Sequence, residues 1–269
     1  MGSKEQIKAL VQTAQSLEKA RVAMGNRNSA LERGVDNAKA PIPEIFHTIM
    51  KAFEETERLI DVAVEEAISG NVVYNLWLRH IKGIGPHLAA QMLAFLLPPK
   101  DGLGVGTWFK ACGLVPEKQA DGKWRLPRTR KMRCIECRST TFRTEKGIRI
   151  CTECGRKLQP GEGKMQYHPY MRRCLYNVAT SLVRVGGFYR IVYDDQKSRL
   201  VTAHVGDAAW PPYRLDSVAR WITVRLLLSH LWHKWAEIED VAIRPPYVIE
   251  VLGHTGYMPP PEWNGKDKI

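Results

Sequence analysis

Two matched Cys-x-x-Cys pairs constrain the fold of this chain more than any other feature of its sequence. Cys134 and Cys137 form the first pair, Cys151 and Cys154 form the second, and residues 138–150 separate them. A two-residue gap lets both thiolates of a pair reach one ion, so two pairs complete a tetrahedral site of four sulfurs. Binding of the ion contributes directly to folding, which replaces the apolar core that this segment lacks. The spacing predicts a zinc ribbon with one structural Zn²⁺ ion.

The residues between the pairs predict the β part of this ribbon. The spacer "RSTTFRTEKGIRI" is rich in Thr, Ile and Phe around Glu-Lys-Gly, which suits a short hairpin. Four thiolates leave no open coordination position, which argues against a catalytic zinc. Disulfides and four unrelated buried cysteines are the alternatives; a reducing cytosol disfavours the first, and the matched spacing disfavours the second. The other two cysteines, Cys112 and Cys174, lie in apolar helical contexts and are predicted to be core residues.

The positive charge of the chain is concentrated around the same cysteines. The whole chain has 40 Lys and Arg against 28 Asp and Glu, a net charge of +12. Residues 123–157 hold 12 of the basic residues and 3 of the acidic ones, so this stretch alone carries 12 − 3 = +9. Such a stretch predicts a surface that contacts phosphates, with a merely solvated or protein-binding face as the alternative. The residues predicted to bind nucleic acid here are Lys123, Trp124, Arg125, Arg128, Arg130, Lys131, Arg133, Arg138 and Arg143.

The Trp in this stretch has two interpretations. Trp124 is interleaved with six basic residues in "KWRLPRTRKMR". Its ring either stacks on a base or packs beneath the ribbon, and the sequence leaves both open.

No segment predicts a membrane span or a secretory signal. The longest apolar runs are short or interrupted by Arg, Ser and His, and "MGSKEQIKAL" lacks the apolar region of a signal peptide. We expect a cytoplasmic protein without a membrane partner, associated with the nucleoid if the source is prokaryotic.

Outside the ribbon the pattern predicts a mainly α-helical protein. Apolar residues recur at helical spacing over 3–33 and over 44–69, and the second helix should end at Gly70. These two helices form either a hairpin or a dimerising coil, so a homodimer through them stays open. Strong helical patterns return over 166–196 and 215–240. The predicted segments are an N-terminal helical arm (1–70), a helix-hairpin-helix region (71–122), the inserted basic zinc ribbon (123–160), C-terminal helices (161–242) and a Pro-rich tail (243–269).

A second signal for nucleic acid lies in "LRHIKGIGPHLAAQML", residues 78–93. Two glycines allow a tight turn whose backbone N–H groups lie at the start of the next helix, where a phosphate binds well. This pattern predicts a helix-hairpin-helix, and the alternative is a helical hairpin used only for packing. The residues predicted to contact nucleic acid here are Lys82, Gly83, Ile84, Gly85 and His87.

A longer pattern extends from this turn. The stretches "IKGIGPHLAAQMLAFL", "FKACGLVPEKQADGKWR", "MRRCLYNVATSLVR" and "VARWITVRLLLSHLWHKW" follow one another. Together they resemble the C-terminal domain of the Piv/MooV-type DNA invertases and related insertion-sequence transposases, over roughly residues 70–240. The resemblance implies ancestry among these enzymes and DNA handling, with Arg172 and Arg173 on the arginine-bearing helix of the family. Because structured RNA can direct family members, RNA stays open as a partner.

The chain departs from that family where the chemistry lies. The family carries an N-terminal RuvC-like domain with acidic metal-binding residues, for which we expect no room here. Its nucleophilic serine precedes a glycine, whereas Asp121 precedes Gly122 in this chain. An aspartate cannot form the serine-linked DNA intermediate, so we expect no catalytic residues to carry over.

Three hypotheses about function follow from these patterns. The first is a zinc-containing, non-catalytic protein that binds the backbone of duplex or branched DNA. The second is a recombination subunit whose RuvC-like partner is a separate chain, and the third is a protein that binds structured RNA. A pair of histidines, His230 and His233, is either a metal site or part of a packed helix face.

Overall fold

The computed structural model describes residues 3–34, 43–118, 124–125, 134, 136–137, 139, 141–145, 148–158, 167–206, 209–243 and 258–262. These residues form a mainly helical fold with two small antiparallel β-pairs, which confirms the predicted fold class. None of the described helices is both long and apolar enough to cross a membrane. The helices are α1 (Lys4–Arg33), α2 (Glu44–Ser69), α3 (Val72–Leu76), α4 (Pro86–Phe95), α5 (Gly106–Ala111), α6 (Pro169–Val185), α7 (Phe188–Ala203) and α8 (Pro212–Ile238). The strands are β1 (Glu117–Lys118), β2 (Trp124–Arg125), β3 (Phe142–Glu145) and β4 (Ile148–Cys151).

The chain divides into two compact units. The first contains residues 1–104 and 174–269, and the second contains residues 105–173. The bounds of the five segments that we predicted from the sequence are not tested by this division and stay a prediction.

In the first unit, α1 and α2 pack against each other as a helical hairpin. Ser3 caps α1 by accepting a hydrogen bond from the Gln6 N–H, and the Gln6 side chain accepts one from the Ser3 N–H. Arg21 of α1 donates to Glu57 of α2 at 2.8 Å, and α2 ends at Gly70 as predicted. Both helices also contact α4. The buried apolar side chains of the hairpin are Ile7, Val11, Val64 and Ile68.

The core of the first unit is built on α4, α6, α7 and α8. In α8, Leu227, Leu228 and Leu231 are completely buried. The prediction of an unbroken helix over 166–196 is wrong, because α6 ends and α7 begins at two glycines. Gly186 and Gly187 have φ angles of 89° and 94°, which a right-handed helix cannot contain. The turn lets α7 fold back and pack along α8.

A buried histidine links this core to the tail. The His230 Nε2–H donates to the Met258 carbonyl at 2.9 Å, because a carbonyl only accepts. The Nδ1 atom of the neutral ring then accepts a hydrogen bond from the Tyr189 hydroxyl, also at 2.9 Å. His233 instead contacts Glu237, so the two histidines share no site and the packing interpretation holds. The Trp77 indole N–H donates to the Pro261 carbonyl at 3.2 Å, which holds the described part of the tail.

The burial of His230 predicts that the folded protein loses stability in acid. Burial lowers the pKa of His230 to about 4, below its ordinary value of 6.5. The unfolded chain therefore binds more protons between these values, and stability falls as pH drops through that window. We expect this group alone to remove about 2–3 kcal/mol of unfolding free energy between pH 7 and pH 4. Denaturant unfolding at several pH values should show that His230→Gln lacks this part of the pH dependence and that His233→Gln keeps it. Equal pH dependence in His230→Gln and the parent chain would contradict the assignment.

The second unit has a small core of its own around α5. Trp108, Leu114 and Tyr167 are buried there, and the His168 N–H donates to the Ala111 carbonyl at 2.8 Å. Cys112 is 1% exposed, and Cys174 in the first unit is equally buried, which confirms both as core residues. Strand β1 pairs with β2, and β3 pairs with β4.

Candidate metal centre and basic surface

Two turns of the same construction bring the four cysteines of the two pairs together. In the first turn the Cys134 N–H donates to the Ser139 carbonyl at 2.8 Å, and in the second the Cys151 N–H donates to the Arg156 carbonyl at 2.9 Å. The second turn closes at Gly155, whose φ of 70° favours glycine. Strand β4 ends at Cys151, so the hairpin delivers this cysteine directly into its turn.

The sulfur positions fit one tetrahedral metal ion. All four Sγ atoms lie within 4.8 Å of one another. The Cys134 and Cys154 sulfurs are 3.5 Å apart, and those of Cys137 and Cys151 are 3.4 Å apart. A disulfide needs about 2.05 Å, whereas a tetrahedron with metal–sulfur bonds of about 2.3 Å has edges of about 3.8 Å. The cysteines are free thiols and can hold one metal ion.

The electrostatics of the cluster also favour a cation. The Cys137 N–H donates to the Cys134 sulfur and lowers the pKa of that thiol to about 6. The Cys154 N–H lowers the pKa of Cys151 in the same way. At Cys154 the Arg156 N–H has the same lowering effect, but burial and the three neighbouring sulfurs outweigh it and raise the pKa to about 12. Four thiolates this close repel one another, and a divalent cation relieves that repulsion.

The described part of the hairpin that carries the cluster has few buried apolar side chains. Strands β3 and β4 pair from Phe142–Cys151 to Glu145–Ile148, which confirms the predicted hairpin; residues 146–147, between the strands, lie outside the described residues. Ile150 and Leu158 are buried beside the cysteines, and the Leu158 N–H donates to the Arg149 carbonyl at 2.8 Å. The two buried aliphatic side chains in the described part of this segment are too few to hold a hairpin in water. A bound ion would therefore be the main stabilising contact.

The predicted basic residues around the cysteines are only partly placed. Arg143 on β3 is exposed and lies 3.0 Å from Glu145. Arg172 lies over the Tyr167 ring at 5.3 Å, and Arg173 is exposed. For Trp124 and Arg125 only the backbone of β2 is described. Lys123, Arg128, Arg130, Lys131, Arg133 and Arg138 lie outside the described residues, as does Asp121.

The glycine turn of the predicted helix-hairpin-helix is used for packing. Gly83 has a φ of 93°, and a Cβ there would lie 3.1 Å from the backbone of Ser181 on α6. The Ser181 hydroxyl donates to the Gly83 carbonyl at 2.7 Å, and Ile84 is buried. The helix before the turn is only α3 followed by a 3-10 turn over Leu78–His80. The helix-hairpin-helix itself is not confirmed.

The residues after this turn have a mixed electrostatic character. Gly85 is the N-cap of α4, without a side-chain cap, and Lys82 is exposed. His87, in the first turn of α4, lies 3.0 Å from the Asp61 carboxylate of α2. A phosphate at this helix end would meet the Asp61 charge.

Sequence reasoning missed an aromatic cluster between α7 and α8. His204 stacks on Trp210, and the Arg214 guanidinium also lies over the Trp210 ring. The available signal was "WPPYR", in which two prolines start a helix beside two aromatic residues and an arginine.

We compared the chain with protein-family models and with curated proteins. No protein-family model matches the chain, and no curated protein matches it either. The resemblance to the Piv/MooV-type enzymes therefore stays a prediction.

Proposed function

We propose that this chain is a zinc-containing DNA-binding protein, derived from a transposase C-terminal domain, that holds the DNA backbone without serine-recombinase chemistry. The observation that carries the proposal is the four-cysteine centre within a segment of charge +9. A metal-stiffened hairpin holds basic side chains at fixed positions, so little conformational entropy is lost when phosphates bind. The replacement of the family's serine by Asp121 is the reason for proposing binding without that chemistry.

Zinc is the metal that suits this centre best. Four thiolates in a tetrahedron select Zn²⁺ or iron over harder cations such as Mg²⁺. Elemental analysis of the purified chain should find one zinc per chain. A coloured preparation that contains iron would contradict the choice of zinc as the metal, but it would still support a metal centre at these cysteines.

Contact with the phosphate backbone is favoured over base readout. On the described part of the hairpin, Arg143, Arg149 and Lys157 are exposed. Side chains of this kind contact phosphates through charge, which carries no sequence information. Binding should therefore be tested by competition among linear duplex, four-way junction, single-stranded DNA and structured RNA at several salt concentrations. A preference for duplex or junction with a steep salt dependence supports the proposal; a preference for RNA favours the RNA-binding hypothesis, and no binding to any competitor overturns the proposal.

A matched pair of arginines gives a sharper test. Arg143 and Glu145 form an exposed ion pair, with side chains 63% and 55% exposed. Arg58 and Glu55 form an equally exposed pair on α2, with side chains 65% and 59% exposed. We expect Arg143→Gln to reduce the slope of log affinity against log salt by about 1, because one phosphate contact is lost. Arg58→Gln should leave the slope unchanged. Equal effects of the two substitutions would mean that only overall charge matters and that the hairpin is not the contact surface.

A further inference from the structure

The turn between α7 and α8 contains a preassembled stack of three side chains. The rings of His204 and Trp210 have centroids 3.6 Å apart and lie within 13° of parallel. The central carbon of the Arg214 guanidinium lies 3.8 Å from the centroid of the Trp210 ring. Both partners are at van der Waals distance from the indole, so they would overlap if they lay on the same face. Trp210 is therefore sandwiched between His204 and Arg214.

This sandwich fixes Arg214 in place. A guanidinium over the face of a Trp ring is held by a cation–π contact, which is strongest for Trp among the aromatic residues. Arg214 also remains exposed to solvent. An arginine that is already ordered loses less conformational entropy when it binds a ligand than a free surface arginine does.

An exposed tyrosine lies next to this arginine in the first turn of α8. Tyr213 is 77% exposed, the highest value among the large apolar and aromatic residues that the structure describes as exposed. Val201 at the end of α7 and Val205 in the turn are also exposed. An exposed aromatic ring that is adjacent along the chain to an ordered cation suits a ligand that has both a flat ring and a negative charge.

We infer that Tyr213 and Arg214 form a site for an unpaired nucleobase of single-stranded nucleic acid. The base stacks on the phenol ring, and the guanidinium binds the adjacent phosphate. The base must be unpaired because a duplex hides both faces of each base in its stack. Stacking of this kind tolerates any base, so the site recognises single-stranded character rather than sequence. This inference rests on the proposed nucleic-acid binding and adds a second site, distinct from the cysteine hairpin.

The test uses the full zinc-loaded chain and short single strands of DNA and of RNA that contain 2-aminopurine, a fluorescent base that is quenched when it stacks. We expect Tyr213→Ala to weaken binding of the single strand about fivefold or more and to reduce the quenching. Affinity for linear duplex should not change. Tyr213→Phe keeps the ring and should behave like the parent chain. The DNA and RNA strands show which sugar the site prefers.

A second exposed tyrosine serves as the control for general surface effects. Tyr176 on α6 is 50% exposed, and Tyr176→Ala should leave both readouts unchanged. This inference alone would be overturned if the chain binds duplex but Tyr213→Ala changes neither the affinity for the single strand nor the quenching. Failure of the parent chain to bind any nucleic acid would overturn it together with the proposed function.

Discussion

Replacing Cys151 by serine is expected to abolish metal binding and to unfold the β3–β4 hairpin. Cys151 lies at the end of β4, and its sulfur is 3.4 Å from that of Cys137. The apparent binding energy of structural zinc in small zinc fingers is about 10–16 kcal/mol. Since Ile150 and Leu158 are the buried aliphatic side chains in the described part of the hairpin, its loss of structure should be complete. The helical signal in circular dichroism should stay nearly intact, because helices α1–α4, α7 and α8 contain none of these cysteines.

The measurements are the zinc content and the rate of limited proteolysis within residues 134–158. Cys112→Ala is the matched control, because Cys112 is buried and lies outside the cluster. It should keep one metal ion per chain and a protected hairpin. A protease-resistant hairpin in the metal-free Cys151→Ser chain would show that packing alone holds this segment. Unchanged DNA affinity after complete metal removal would end the proposed role of the hairpin in binding.

Gly83→Ala is expected to have the largest effect of any single substitution among the described glycines of the first unit. An alanine with a φ of 93° is strained by roughly 1–3 kcal/mol. Its Cβ would also lie 3.1 Å from the Ser181 backbone, and displacing a packed helix costs a further 1–3 kcal/mol or so. We expect a loss of about 2–6 kcal/mol of unfolding free energy, measured by denaturant titration.

A substitution at Gly85 distinguishes a packing role of this turn from a phosphate-binding role. Gly85 has a φ of −82°, and a Cβ there would meet no atom within 4 Å. Gly85→Ala should therefore cost less than about 1 kcal/mol, the usual price of alanine at an N-cap. If the turn binds phosphate through its backbone, both substitutions should weaken DNA binding at a temperature where both chains are folded. If it serves only packing, Gly85→Ala should bind as the parent chain does. Equal losses of stability would show that the close approach to α6 does not determine the role of Gly83.

The sequence predicted those features that depend on neighbouring residues. The two Cys-x-x-Cys pairs predicted the metal cluster because a two-residue gap fixes the reach of both thiolates. The helical periodicity gave α1 and α2 nearly to the residue and α8 to within three residues, and Gly70 marked the end of α2. The two glycines at 186 and 187 indicated the end of a helix, but the apolar pattern continued on both sides of them and favoured a single helix.

Features that join distant parts of the chain could not be predicted in this way. The role of Gly83 depends on Ser181, which lies 98 residues further along the chain. His230 was one of two histidines on a helix, and only the positions of Tyr189 and Met258 make it a buried hydrogen-bond bridge. Trp210 is a different case, because the side chains that cover its two faces, His204 and Arg214, lie within six residues of it along the chain.

What the sequence by itself determined is the local chemistry: the cysteine cluster, the long helices, and the concentration of positive charge around the metal centre. These follow from spacing and composition, since ligand reach and helical periodicity act over a few residues. The tertiary structure alone decided which glycine is fixed by packing and which histidine is buried and neutral. Those outcomes depend on which surfaces meet when the helices pack, and a side chain's neighbours across a core are not encoded in the residues beside it along the chain.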